Sequence, residues 1–106
     1  MRVRLKVQRQ LTLPVQRPVI TIGYEDRCFT IRGIPNETRH STIGITIGML
    51  RGAYEDDGFK LYVDQDLRMY FPKSYPIATH RKSILKTCEK AVRLAFGKAF
   101  DIVVAE

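Results

Sequence analysis

The sequence is short of the features that usually make a function readable. It has two cysteines, Cys28 and Cys88, too few to form a disulfide scaffold. Each lies within an apolar pattern, so both are expected as reduced, buried side chains. No apolar run reaches the ~18 residues of a membrane span. The N-terminus alternates arginine with valine instead of offering an apolar leader segment, so the expected location is the cytoplasm, with no membrane partner. Asn36-Glu37-Thr38 matches a glycosylation sequon, a triplet that arises readily by chance and acts only on a secretory route. No repeat, low-complexity tract or linker interrupts the chain.

Catalytic signatures are missing too. There is no Gly-x-Ser-x-Gly, His-Glu-x-x-His, Walker loop or dinucleotide fingerprint, no zinc-finger spacing, and no RNP pattern of an RNA-recognition motif. His40 and His80 are the only histidines. Asp56 and Asp57, or Asp64 and Asp66, offer hard oxygen ligands for a divalent cation, and with a histidine or lysine such a set would suit a metal-dependent nuclease. Both pairs, however, fall where turns favour aspartate. These signals favour a non-enzyme over an enzyme without deciding between them, and no catalytic residue, metal ligand or cofactor is assigned.

What the chain does have is positive charge. It has 106 residues, 44% hydrophobic and 27% charged, with a net charge of +7. That suits a single domain over 1–106 with its own core. The charge is unevenly spread. Residues 1–17 hold five bases and no acid, residues 18–67 five bases against eight acids, and residues 68–98 eight bases against Glu89 alone. Two basic ends thus flank an acidic middle. Such a balance speaks to partners, not to fold: nucleic acid, an anionic membrane surface or an acidic protein.

Periodicity gives the architecture. Val3, Leu5, Val7, Leu11 and Leu13 alternate with Arg2, Arg4, Lys6, Gln8, Gln10 and Thr12, which predicts a half-buried strand over 2–13 in which Arg9 alone breaks the apolar file. Pro14 and Pro18 close it. Residues 19–24 and 27–34 predict a hairpin around Tyr24-Glu25-Asp26-Arg27. In 43–54, alternating isoleucines suit a strand, while Gly44, Gly48 and Gly52 fall on one ridge of a helix; glycine's helix penalty of about 1 kcal/mol each favours the strand. Asp56-Asp57-Gly58 then reads as a hairpin turn, followed by strands at 59–63 and 67–71 joined by Asp64-Gln65-Asp66. Residues 79–96 predict a helix, with Thr79 capping its start and Gly97 ending it. Its face of Ile84, Leu85, Cys88, Ala91, Val92, Ala95 and Phe96 lies opposite Lys82, Lys86, Lys90 and Arg93. A last strand follows at 100–104. The expected fold is α+β: an antiparallel or mixed sheet of about five to seven strands, one C-terminal helix on one face, and a short final strand.

The basic residues define the candidate site. Arg2, Arg4 and Lys6 would stand about 6.6–6.8 Å apart on the polar face of a strand, a spacing suited to successive phosphates. The stripe Lys82, Lys86, Lys90 and Arg93 stacks like charges that an anionic partner would relieve. Tyr70, expected to be exposed along with Tyr75, has Arg68 and Lys73 nearby and offers a surface for base stacking. The leading expectation is a non-catalytic DNA- or RNA-binding domain. It would contact phosphate through Arg2, Arg4, Lys6, Arg9, Arg17, Arg68, Lys73, Lys82, Lys86, Lys90 and Arg93, with Tyr70 beside them. The alternatives are an interaction module (an inhibitor, adaptor or assembly subunit that binds an acidic protein or self-associates into a homo-oligomer) and, third, the nuclease.

Overall fold

The computed structural model describes residues 17–105. The strand expected over 2–13, with Arg2, Arg4, Lys6 and Arg9, lies outside these residues. The described residues form an α+β architecture, with a mixed five-stranded sheet and two helices. Among the described residues, no helix is long and apolar enough to cross a membrane.

The expected hairpin is present. Strand β1 (Val19–Glu25) pairs antiparallel with β2 (Cys28–Arg32), with Ile22 opposite Ile31 and Tyr24 opposite Phe29. Asp26 and Arg27 turn the chain with φ of 50° and 65°, the positive pair that a two-residue hairpin loop requires. Ile20, Ile22, Phe29 and Ile31 are buried on one face. The final strand β5 (Asp101–Val104) runs parallel to β1, with Ile20 opposite Ile102 and Ile22 opposite Val104.

Residues 43–54 are not a strand. Helix α1 spans His40–Gly52. Two periods fit this segment, and tertiary burial selects the helical one. Thr46 and Leu50 are fully buried, Ile43 and Ile47 pack against the core, and Ile45, which an alternating pattern would bury with them, is 57% exposed. The glycine penalty is real, but burying one leucine returns about 1.5–3 kcal/mol, and a helix satisfies its own backbone without needing a sheet edge. The Thr46 hydroxyl, carried into the core, donates to the Thr42 carbonyl at 2.8 Å. Asp56-Asp57-Gly58 does turn the chain, through a 3-10 turn at Glu55–Asp57 and Gly58 at φ 83°. It joins α1 to the sheet, however, and does not close a hairpin.

The next two strands are shorter than expected: β3 is Tyr62–Val63 and β4 is Met69–Tyr70. The expected Asp64-Gln65-Asp66 connection explains this. Asp64 Oδ1 accepts the amides of Asp66 (2.9 Å) and Arg68 (3.0 Å), which holds the turn closed. Leu67, buried at φ 61°, is wrapped inward. Strand order is β3-β4-β2-β1-β5, with every neighbouring pair antiparallel except β1 and β5.

Helix α2 covers Ile77–Phe96, two residues earlier than expected, and Thr79 makes no capping hydrogen bond at its start. Burial of Ile77 draws the first turn in. Gly97 ends the helix at φ 76°. The expected apolar face packs inward through Ile84, Leu85, Cys88, Ala91 and Val92, while Ala95 and Phe96 are only partly buried. The single covering helix is thus a pair, since α1 packs beside α2 and shares the same core. Both lie over the sheet face that carries Ile20, Ile22 and Phe29. The other face, with Val19, Tyr62, Tyr70 and Val103 exposed, carries no helix among the described residues.

The glycines of α1 make a direct test of this account. A Cβ at Gly44 or Gly48 would meet nothing within 4 Å, whereas at Gly33 (φ 89°) it would strike the Val19 carbonyl. Gly44→Ala and Gly48→Ala should each raise the unfolding free energy by about 1 kcal/mol, and Gly33→Ala should lower it. Urea titrations of the three variants decide it. Loss of stability in the first two would mean that the helix assignment is wrong.

Candidate functional site

Helix α2 positions the clearest set of unpartnered cations. Lys82, Lys86 and Lys90 are exposed one turn apart, which at 1.5 Å rise per residue spaces them by about 6 Å along the axis. Ser83 and Thr87 complete the floor of a shallow groove between them. The Thr87 hydroxyl is turned into the helix, donating to the Ser83 carbonyl at 3.1 Å. Among the described residues, none of the three lysines forms an ion pair. Arg93 differs from them. Its Nη2 and Nε donate to Glu89 Oε2 at 2.9 and 3.2 Å. The fourth member of the expected stripe is therefore neutralised by the one acid in its segment.

Arg17 is also engaged within the fold. Its Nε donates to Asp101 Oδ1 at 2.9 Å, and its Nη2 to the carbonyls of Lys98 and Phe100. These bonds fasten the chain entering β1 to the chain entering β5. An arginine expected to contact phosphate thus serves as an internal clamp.

Arg68 and Tyr70 fall elsewhere. Tyr70 is 38% exposed on the uncovered sheet face, opposite Cys28 and Tyr62 in register. Its hydroxyl donates to Asp64 Oδ2 at 3.2 Å, and its ring lies 5.5 Å from that of Tyr62. The Tyr70 phenol beside Arg68 pushes the guanidinium pKa further up. Lys73 is exposed in the loop leading to α2. Tyr75, expected to be exposed, is half-buried in an aromatic cluster, with Phe59 and Phe71 each 4.9 Å away and His80 at 5.3 Å. Sequence reasoning missed Tyr62, which is 62% exposed. The alternation Leu61, Tyr62, Val63 was the available signal, because it turns the tyrosine away from its buried neighbours.

The candidate residues therefore do not share one surface. The α2 lysines point away from the core on the helical side, while Arg68 and Tyr70 sit by the open sheet face. That face has mixed charge, with Glu25 and Arg32 paired at 2.7 Å and Asp64 within reach of Tyr70.

The groups raised as catalytic parts are occupied structurally. Asp64 closes a turn, and Asp56 and Asp57 form another. Among the described residues, no three His, Cys, Asp or Glu side chains converge to hold a metal ion. Cys88 is fully buried, its Sγ donating to Met69 Sδ at 3.3 Å, and burial pushes its thiol up to about 12. Burial also raises Cys28 and Tyr54. The Tyr54 hydroxyl is buried near Thr87 without a hydrogen bond of normal geometry. No protein-family model, curated protein or solved structure matches the chain.

Burial of these acids fixes a pH dependence. The folded state holds Cys88 and Tyr54 in their neutral forms, so it retains protons that the unfolded chain gives up. Their stabilising effect is complete below the unfolded thiol pKa of 9.0 and is lost as pH climbs towards the folded value of about 12. Urea midpoints should hold up to about pH 9 and fall above it, and Cys88→Val should flatten the fall. A midpoint that rises between about pH 9 and 11 would contradict the burial of these groups.

Proposed function

We propose that the protein is a non-catalytic nucleic-acid-binding domain that holds the phosphate backbone through the α2 ridge of Lys82, Lys86 and Lys90. The observation that carries this reading is the ridge itself: three exposed lysines, one turn apart, with no carboxylate partner among the described residues. Like charges at i,i+4 destabilise a helix by about 0.2–0.5 kcal/mol per pair, and a run of phosphates removes that repulsion. Arg2, Arg4, Lys6 and Arg9 supply further cations of the same kind, and Lys73 lies in the loop that leads into α2. Contacts of this sort position a strand without reading its sequence.

Binding of a labelled oligonucleotide, followed by anisotropy over a salt series, tests the proposal. Affinity should fall linearly with salt on a log–log scale, and each lysine removed should lower the slope by about one. Lys86→Glu with Lys90→Glu should weaken DNA and RNA of any sequence alike. A flat salt response, or a double variant that binds as the wild type does, would reject the reading.

A second reading rests on a different observation. Val19, Tyr62, Tyr70 and Val103 are exposed on the uncovered sheet face, which suits an interaction module that binds a protein partner or a second copy. Association through that face would persist at high salt in size-exclusion chromatography, whereas an assembly built on the α2 lysines would dissociate.

A further inference from the structure

A cleft in the described fold lies away from the α2 ridge, beside the short pairing of β4 with β2. Strand β4 pairs with β2 only at Cys28 and Phe29. Leu67, at φ 61°, then carries the chain away, so among the described residues Thr30, Ile31 and Arg32 have no strand on that side. On the far wall, Gly33 (φ 89°) swings the chain out towards α1. The space between them is about 500 Å³, within the ~300–1,000 Å³ of small-molecule sites.

Its lining is chemically selective. Arg32 from β2, His40 from the first turn of α1 and Arg68 from the β3–β4 turn all border it, against Asp66 as the one carboxylate. Arg32 is paired with Glu25 at 2.7 Å, but both side chains are more than half exposed, and such a pair yields readily to a phosphate, which a guanidinium can bind in two-pronged fashion. Ile34 and Ile43 give the same cleft an apolar wall, and Asn36 and Gln65 supply amides that can both donate and accept. An anion alone would leave the exposed parts of Ile34 and Ile43 in water, and an apolar molecule alone would offer the two guanidinia no anion.

We propose that this cleft binds a nucleoside monophosphate, its phosphate on Arg32 and Arg68 and its base against Ile34 and Ile43. The same group occurs free in solution and at the 5′ end of a nucleic-acid strand. The site does not depend on the α2 ridge, and only the strand-end source draws on the nucleic-acid reading.

Calorimetric titration of the full chain with AMP, adenosine and inorganic phosphate tests it. AMP should bind at least about tenfold more tightly than either fragment. Arg32→Gln and Arg68→Gln should each weaken AMP by about tenfold, while Lys86→Glu, on the other side of the fold, should leave it unchanged. Both arginines are exposed, and thermal melts of the two variants check that the fold is kept. A 5′-phosphorylated oligonucleotide that outbinds its 5′-hydroxyl twin, with the difference erased by Arg68→Gln, assigns the strand end; AMP binding with no such difference assigns the free nucleotide. No AMP binding, inorganic phosphate as tight as AMP, or arginine variants that bind AMP as the wild type does would each overturn the proposal. Lys86→Glu with Lys90→Glu failing to alter oligonucleotide binding would reject the phosphate-backbone function while leaving the cleft standing.

Discussion

Ile20 and Ile22 bring three strands into one register. They lie opposite Ile102 and Val104 of β5 on one side, and Ile22 lies opposite Ile31 of β2 on the other. Because successive strand residues alternate faces, burying these two commits the whole sheet to one covered face. The two helices must then supply the other half of the core, which they do through Leu50 from α1 and Ile84 and Val92 from α2. Everything left outside, the lysine ridge on one side and the open sheet face on the other, follows from that one alignment.

The fold was legible where one period dominated. The β1–β2 hairpin and α2 each have a single clean pattern, and each formed within a few residues of its expected limits. Residues 43–54 carried two patterns at once, and intrinsic preference pointed the wrong way. Glycine's propensity penalty is local, whereas the burial of Thr46 and Leu50 depends on an adjacent helix thirty or more residues on. No window around Gly48 contains that information. The short β3 and β4 have a similar cause. Their composition suited longer strands, but the Asp64 carboxylate takes two backbone amides into the turn between them.

Charge was legible as a distribution but not as an inventory of free groups. The lysines at 82, 86 and 90 are exposed as their helical spacing required. Arg17 could not be separated from them by sequence, because its partners are settled by geometry. Glu89 is one turn from Arg93, a pairing that i,i+4 spacing allows, but Arg17 finds Asp101 and two carbonyls at the opposite end of the chain. A basic residue at a strand entry is thus a clamp or a ligand-binding group according to what the last strand brings beside it.

The two sides of the fold differ in physical character, and this constrains any account of function. The helical side presents the like-charged lysines of α2, so an anion held there would be held chiefly by electrostatics that weaken with salt. The sheet side presents valine and tyrosine among paired charges, so association there is driven by burial and resists salt. The cleft beside β2 combines both, guanidinia next to isoleucines, and so calls for a ligand that is itself half anionic and half apolar. It opens where β4 turns away from β2, which makes it a consequence of the same Asp64 turn that shortens the sheet. Extending β4 along β2 would place backbone beside Thr30 and Arg32, which line the cleft.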